Sequence, residues 1–472
     1  MSKLLKGAAY YSIGNFTSKA INFLLLPLYT SYLSPGEYGI VNSMQVFSSV
    51  LTIFFTLGLE RAIYRLFFDY KSDESQRDFL GTIAISIVVI SVVVSGLLFV
   101  FDKPIGEIYE SIDFYPYFAY AILTALFSVF ELVPTISLQV KEKAGQYLIL
   151  SLAILAFRVV PVLWQVVYVK AGAVGMLKGA MIGNIASLII LIPITLRQIN
   201  IVFHFSTLQS TLKYCLPFIP MITSAWVINM SDRIFIERYF STYEVGIYSL
   251  GYRIGQLVQF LSISILMTYN PYFYKLANSA DQSAAKKKLY TLNTATIAFL
   301  LFIGFLVALF SKDIIVFFFS EQYFEAYAII PLIVLGYIFI QLISLQSLSF
   351  YQEKQTLKIM WINIAAALIN IALNFIFIPK YGYFGAAYTT LITQFIYFLI
   401  IYKYARKYYF IPYNWGLLLP TFAVFIVLTI IFLMYMPVTK VMMLLKIIGI
   451  LFIVSMSTLK YKKQLSALLR QS

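Results

Sequence analysis

The sequence predicts an all-α integral membrane protein of about fourteen transmembrane helices, and three observations carry that prediction. Of its 472 residues, 61% are hydrophobic and only 12% charged, with a mean hydropathy of +0.85; a water-soluble chain of this length carries far more charge. Apolar runs of about 20 residues, the length that crosses roughly 30 Å of hydrocarbon at roughly 1.5 Å per residue, recur from end to end. The first half of the chain also reappears in the second, as two parallel six-helix repeats followed by two further helices.

Reading apolar runs between charged or turn-rich breaks places helices near 8 to 33, 38 to 67, 79 to 101, 114 to 139, 145 to 169 and 173 to 197. A second series follows near 212 to 239, 243 to 274, 289 to 311, 323 to 350, 356 to 379 and 383 to 405, and a final pair near 416 to 436 and 440 to 459. The domains are thus an N-lobe over 1–205, a C-lobe over 206–409, and residues 410–472 with the last two helices and a tail. Lys3 and Lys6 precede a first run that is too long for a signal-peptide core and lacks a small-residue cleavage pattern, so it is expected to remain as the first helix.

Lys and Arg outside the cores of these helices set the orientation. The side holding the N-terminus collects 22 of them, among them Lys71, Arg77, Lys141, Lys143, Lys286, Lys287, Lys288, Lys403, Arg406, Lys407, Lys460, Lys462, Lys463 and Arg470. The other side collects six: Lys103, Lys170, Arg238, Lys312, Lys380 and Lys440. Both termini are therefore expected on the cytoplasmic side. The net charge of +15 is spread over these short loops and does not form a basic domain for nucleic acid.

The repeat is read by shifting the chain 207 residues. Lys6 then meets Lys213, Asn22 meets Asn229, and the loop 32–40 meets 239–247 with Tyr, Ser, Glu, Gly and Ile in common. At a shift of 210, Gly172-Ala-Val-Gly175 meets Gly382-Tyr-Phe-Gly385. Six is an even number, so both copies enter the membrane from the same side and are related by an axis along its normal. Transporters built this way place substrate between their halves and rock one half against the other. The outer loops are short, the longest being 102–113 and 312–322, which leaves no room for a soluble catalytic domain.

Several chemistries are excluded. One cysteine, Cys215, and one histidine, His204, supply neither a disulfide framework nor a zinc site. There is no nucleotide-binding glycine loop, nucleophile elbow or acidic metal cluster. No metal, cofactor or enzymatic activity is expected; a membrane polymerase or ligase would need a large outer loop and acid/base residues.

Charges inside the hydrocarbon are costly and usually face a partner or a wet cavity. Lys19, Arg158 and Arg253 fall near the middle of their helices; Arg233 and Lys178 lie nearer the outer end and Arg61 nearer the cytoplasm. The carboxylates in the same segments are Glu60, Glu131, Asp232 and Glu237, the first three being candidates for ion coupling or ion pairs. The cation surplus points to an anionic ligand, and phosphate or pyrophosphate suits arginine through charge-assisted hydrogen bonds. Lys19 and Arg253, too deep to snorkel, are the leading substrate cations; Arg158 competes with a structural pair to Glu131, and Lys178 and Arg233 compete with snorkelling to the interface. Asn22 and Asn229 contact either a glycan or neighbouring helices, helix packing being the favoured reading. Pro27, Pro134, Pro161, Pro217, Pro220 and Pro271 mark bends in cavity walls, and most of the 37 tyrosines and 42 phenylalanines read as interfacial belt.

Over nearly its whole length the chain resembles the polysaccharide-transporter branch of the multidrug/oligosaccharidyl-lipid/polysaccharide exporter superfamily, the O-antigen-type flippases. The residues carrying this are 7–33, Tyr38-Gly-Ile-Val with Gly58-Leu-Glu-Arg-Ala62, and Asp232-Arg-Ile-Phe-Ile236 followed by Glu244-Val-Gly-Ile-Tyr-Ser249. The resemblance implies two lobes plus two helices that flip an undecaprenyl-pyrophosphate-linked oligosaccharide across the bacterial inner membrane by alternating access, with its lipid tail left in the bilayer. It also implies cavity cations, matched here by Lys19 and Arg253 and less closely by Arg158, and hand-over to polysaccharide polymerase or assembly proteins. The drug-exporting branch is the alternative. Its members rely on membrane carboxylates, whereas the first helix here carries Lys19 and no acid.

Overall fold

The computed structural model describes residues 3–435 together with Lys446. The expected helix at 440–459, apart from Lys446, lies outside the described residues, as do Lys440 and the tail lysines and arginine. Every regular element among the described residues is helical.

The chain opens with α1 (Lys3–Leu24, resuming as Leu26–Tyr32), interrupted just before Pro27, which cannot donate a backbone hydrogen bond. The turn into α2 (Pro35–Thr56, resuming as Leu59–Leu66) is set by a capping box: the Ser34 hydroxyl accepts from the Glu37 N–H, and Glu37 accepts from the Ser34 N–H at 2.9 Å. The break inside α2 is a left-handed pair, Leu57 at φ 47° and Gly58 at φ 75°. Then come α3 (Asp73–Val100), α4 (Phe114–Val140), α5 (Ala144–Tyr168) and α6 (Gly172–Gln198).

The second half follows as α7 (Phe205–Met230, continuing as Asp232–Tyr239), α8 (Thr242–Ala277), α9 (Gln282–Leu309), α10 (Glu321–Gln352), α11 (Thr356–Ala405) and α12 (Trp415–Tyr435). Ser241 caps α8 as Ser34 caps α2, accepting from the Glu244 N–H. The run α11 is two antiparallel helices that reverse at Gly382 (φ 55°, ψ −135°). The reversal brings Thr389 onto Asn374, 2.6 Å between Oγ1 and Oδ1, and Thr393 onto Asn370 at 3.1 Å.

Ten helices among the described residues are long and apolar enough to cross a membrane, against the fourteen expected. The difference lies in α1, whose polar positions dilute its hydropathy; in α11, one run holding two expected helices; in α12, whose apolar stretch is short; and in 440–459. The chain is a multi-pass membrane protein.

Small residues let these helices approach closely, as they must where lipid tails compete equally for apolar side chains. Between α5 and α6 the contact runs along Gly175, Gly179 and Gly183. A Cβ on Gly179 would lie 2.7 Å from the Val162 Cα, and one on Gly183 the same distance from the Arg158 Cα. In α11, 210 residues further on, stand Gly385, Thr389 and Thr393, and the contact between its two arms is closed partly by hydrogen bonds to asparagine.

Candidate functional site

A cavity of about 610 Å³ lies among α1, α2, α4, α5 and α6. Its lining comes entirely from residues between Gly14 and Asn184, so it is a cavity of the first half and not the interlobe space expected for the substrate. The antiparallel course of α4 and α5 places Glu131 opposite Arg158: Nη2 stands 2.8 Å from Oε2. Arg158 Nε also donates to Asn184 Oδ1 at 2.6 Å, and Asn184 Nδ2 donates to the Thr124 carbonyl at 2.9 Å. Arg158 thus faces the cavity with its charge neutralised.

The remaining candidates divide by partner. Arg253, on α8, reaches across the seam between the halves and donates to Gln45 Oε1 at 2.9 Å, and Gln45 itself lines the cavity. Lys19 is exposed, its Nζ 5.7 Å from the centre of the Phe260 ring, again across the seam. Neither these two nor Lys178, exposed on α6, forms an ion pair among the described residues. Arg61 lies beside Glu60, Nε to Oε1 at 3.6 Å, while Glu60 Oε2 is buried without a hydrogen-bond partner.

Arg233 departs from expectation. It neither snorkels nor reaches the cavity: it is 4% exposed, pairs with Asp232 at 2.7 Å, and donates to the Asn229 carbonyl at 2.8 Å. Its guanidinium lies 4.4 Å from the Tyr252 ring centre and 5.2 Å from that of Tyr248, whose hydroxyl donates to the other Asp232 oxygen. Sequence depth alone could not see this, because the two tyrosines come from α8. Asn22 and Asn229 both donate to carbonyls of their own helices, Ser18 and Ala225, and Asn22 also lines the cavity.

Two charged residues work in ways that sequence reasoning did not assign. Glu237, 1% exposed near the end of α7, accepts the backbone N–H of Glu110 at 3.0 Å and of Ser111 at 2.6 Å. It ties the 107–113 loop of the first half to the second. Lys446 was missed altogether among the buried cations: Nζ lies 2.6 Å from Asp313 Oδ2 and donates to the Leu309 carbonyl at 3.1 Å. Its signal was a lysine in the interior of the 440–459 apolar run, six residues after Lys440 at its start.

Comparison with known proteins sets this geometry in context. The family model described as polysaccharide biosynthesis protein matches residues 4–277, and the MatE model matches residues 217–376. Among curated proteins, a Haemophilus influenzae protein of the Lsg locus is 23% identical over 279 residues, 58% of this chain and 66% of that protein. An uncharacterized membrane protein of the same organism is 24% identical over 284 residues, 58% of this chain and 65% of the relative. The match therefore spans just under two thirds of the length of either relative.

Among solved structures, the lipid II flippase MurJ in an inward closed conformation superimposes with a TM-score of 0.70 at 19% identity, over 96% of this chain and 99% of that one. An inward-facing multidrug resistance MATE family transporter of the MOP superfamily gives 0.61 at 14% identity, over 84% and 94%. At these identities the likeness is one of fold. The family match spans more than half of the chain, and the chain belongs to the polysaccharide biosynthesis protein family.

Proposed function

We propose that this protein flips an undecaprenyl-pyrophosphate-linked oligosaccharide from the cytoplasmic to the outer leaflet of the bacterial inner membrane, for surface polysaccharide biosynthesis. One observation carries the reading: Lys19 and Arg253 stand at the seam between the halves, beside a polar cavity, with no carboxylate paired to either among the described residues. Uncompensated cations at membrane depth are expensive unless a mobile anion visits them. A pyrophosphate supplies that anion, and arginine matches its geometry.

In this reading the halves act as two parallel six-helix lobes plus two terminal helices, with both termini cytoplasmic. They rock about the seam while the polyprenyl tail stays among membrane lipids, and the product passes to polymerase or assembly proteins. Arg158 contributes less than expected, since Glu131 already neutralises it. Replacing Lys19 or Arg253 with Ala should abolish surface polysaccharide while leaving membrane insertion intact. Normal export from both variants defeats the reading.

The alternative, a drug or cation antiporter, needs a carboxylate free to bind a proton or ion. Glu131 and Asp232 are paired with arginines, while among the described residues Glu60 Oε2 and Asp313 Oδ1 are buried carboxylate oxygens without a hydrogen-bond partner, Asp313 being paired with Lys446 through its other oxygen. Deleting the gene should then raise drug sensitivity and spare surface glycans, the reverse of the expected outcome.

A further inference from the structure

The cavity of the first half has a chemistry different from that of the seam beside it. Its one arginine is neutralised by Glu131, so it offers no net charge to a pyrophosphate. Its walls are rich in hydroxyls whose hydrogens are already committed. Ser18 donates to the Gly14 carbonyl at 3.2 Å, Thr52 to Ser48 at 3.0 Å, Ser128 to Ala125 at 2.7 Å and Thr135 to Glu131 at 2.6 Å. A hydroxyl that has given its hydrogen still presents lone pairs, so these walls chiefly accept.

A second observation points to a ligand. Thr124 lines this cavity, and its side-chain oxygen is shielded from solvent and has no hydrogen-bond partner. A polar atom left so costs free energy, and rotation of the Thr124 side chain toward the cavity lets a bound group recover it. The volume of about 610 Å³ falls within the range of small-molecule sites, roughly 300–1,000 Å³. The Gln45 amide joins the two regions, lining the cavity and accepting from Arg253.

We infer that the cavity within the first half is a glycan subsite, which takes uncharged sugar rings of the cargo while the seam cations hold its pyrophosphate. Sugar hydroxyls bring the donors that an acceptor-rich, charge-neutral wall lacks, and the route past Gln45 places sugar and phosphate in adjoining compartments. The inference rests on the lipid-linked oligosaccharide reading above and adds to it a division of labour.

The test measures binding of two probes to the purified full-length protein in lipid nanodiscs: undecaprenyl pyrophosphate without sugar, and the same lipid carrying the oligosaccharide isolated from the host. Thr124→Val removes the unpartnered hydroxyl and keeps its shape. Ala180→Phe fills the cavity from α6. The wild type should bind the glycosylated probe more tightly. Thr124→Val should weaken that binding about 2- to 10-fold and Ala180→Phe by more than about tenfold, with the sugar-free probe held as before, which also shows that both variants are folded.

Equal weakening of both probes, or no change in either, overturns the subsite and leaves the carrier reading standing. A wild type that binds neither probe overturns the carrier reading, and the subsite falls with it.

Discussion

Gly39 and Gly246, 207 residues apart, pack α2 and α8 backbone to backbone: a Cβ on Gly39 would lie 3.0 Å from the Gly246 nitrogen and would overlap the Thr242 carbonyl oxygen. The relation is reciprocal, since a Cβ on Gly246 would overlap the Pro35 carbonyl. This crossing closes one end of the seam, where Tyr323 donates to the Leu33 carbonyl at 3.0 Å and Ser320 to that of Thr30 at 3.0 Å.

Alanine at either glycine should therefore open that end. No side-chain movement can relieve an overlap with backbone, and such overpacking costs about 1–3 kcal/mol. Spin labels on cysteines replacing the exposed Tyr32 and Tyr239 should report a longer distance distribution in Gly39→Ala than in the parent. An unchanged distribution would show that the crossing does not govern closure.

Glu237 should act as a latch at the same seam. Glu237→Ala orphans the N–H groups of Glu110 and Ser111, each otherwise bonded to its carboxylate. Hydrogen exchange at those two amides should accelerate roughly 10- to 100-fold. Exchange in the first turn of α3, at the end of that helix away from the 107–113 loop, serves as the control.

The pair between Arg158 and Glu131 predicts a non-additive cycle. Each side chain is about a third exposed or less, 35% and 26%, so removing one partner should cost about 1–3 kcal/mol, less than for a fully buried pair. Arg158→Met with Glu131→Leu together should recover most of the loss in thermal stability. Simple addition of the single losses would mean the two residues act independently.

Asp313 and Lys446 are more deeply buried, with side chains 2% and 5% exposed. Asp313→Ala strands a lysine ammonium among apolar groups, a cost of about 3–5 kcal/mol. The expected readout is a lowered unfolding temperature that a further Lys446→Met change largely restores. No recovery in the double variant would argue that Asp313 holds the fold by some other contact.

Composition and periodicity made the helical membrane class legible, because hydrocarbon requires every crossing to be long, apolar and internally hydrogen-bonded. Two breaks were legible too: Pro27 and Gly382 stand where the helices bend or reverse, whereas the left-handed break at Leu57 and Gly58 falls inside the run read as one helix over 38 to 67. What the tertiary structure alone decided is the fate of each buried charge. Depth along a helix is a local property readable from spacing, whereas pairing depends on which helices become neighbours. Arg158 found Glu131 and Arg233 found two tyrosines of α8, while Lys19 and Arg253 were left facing the seam.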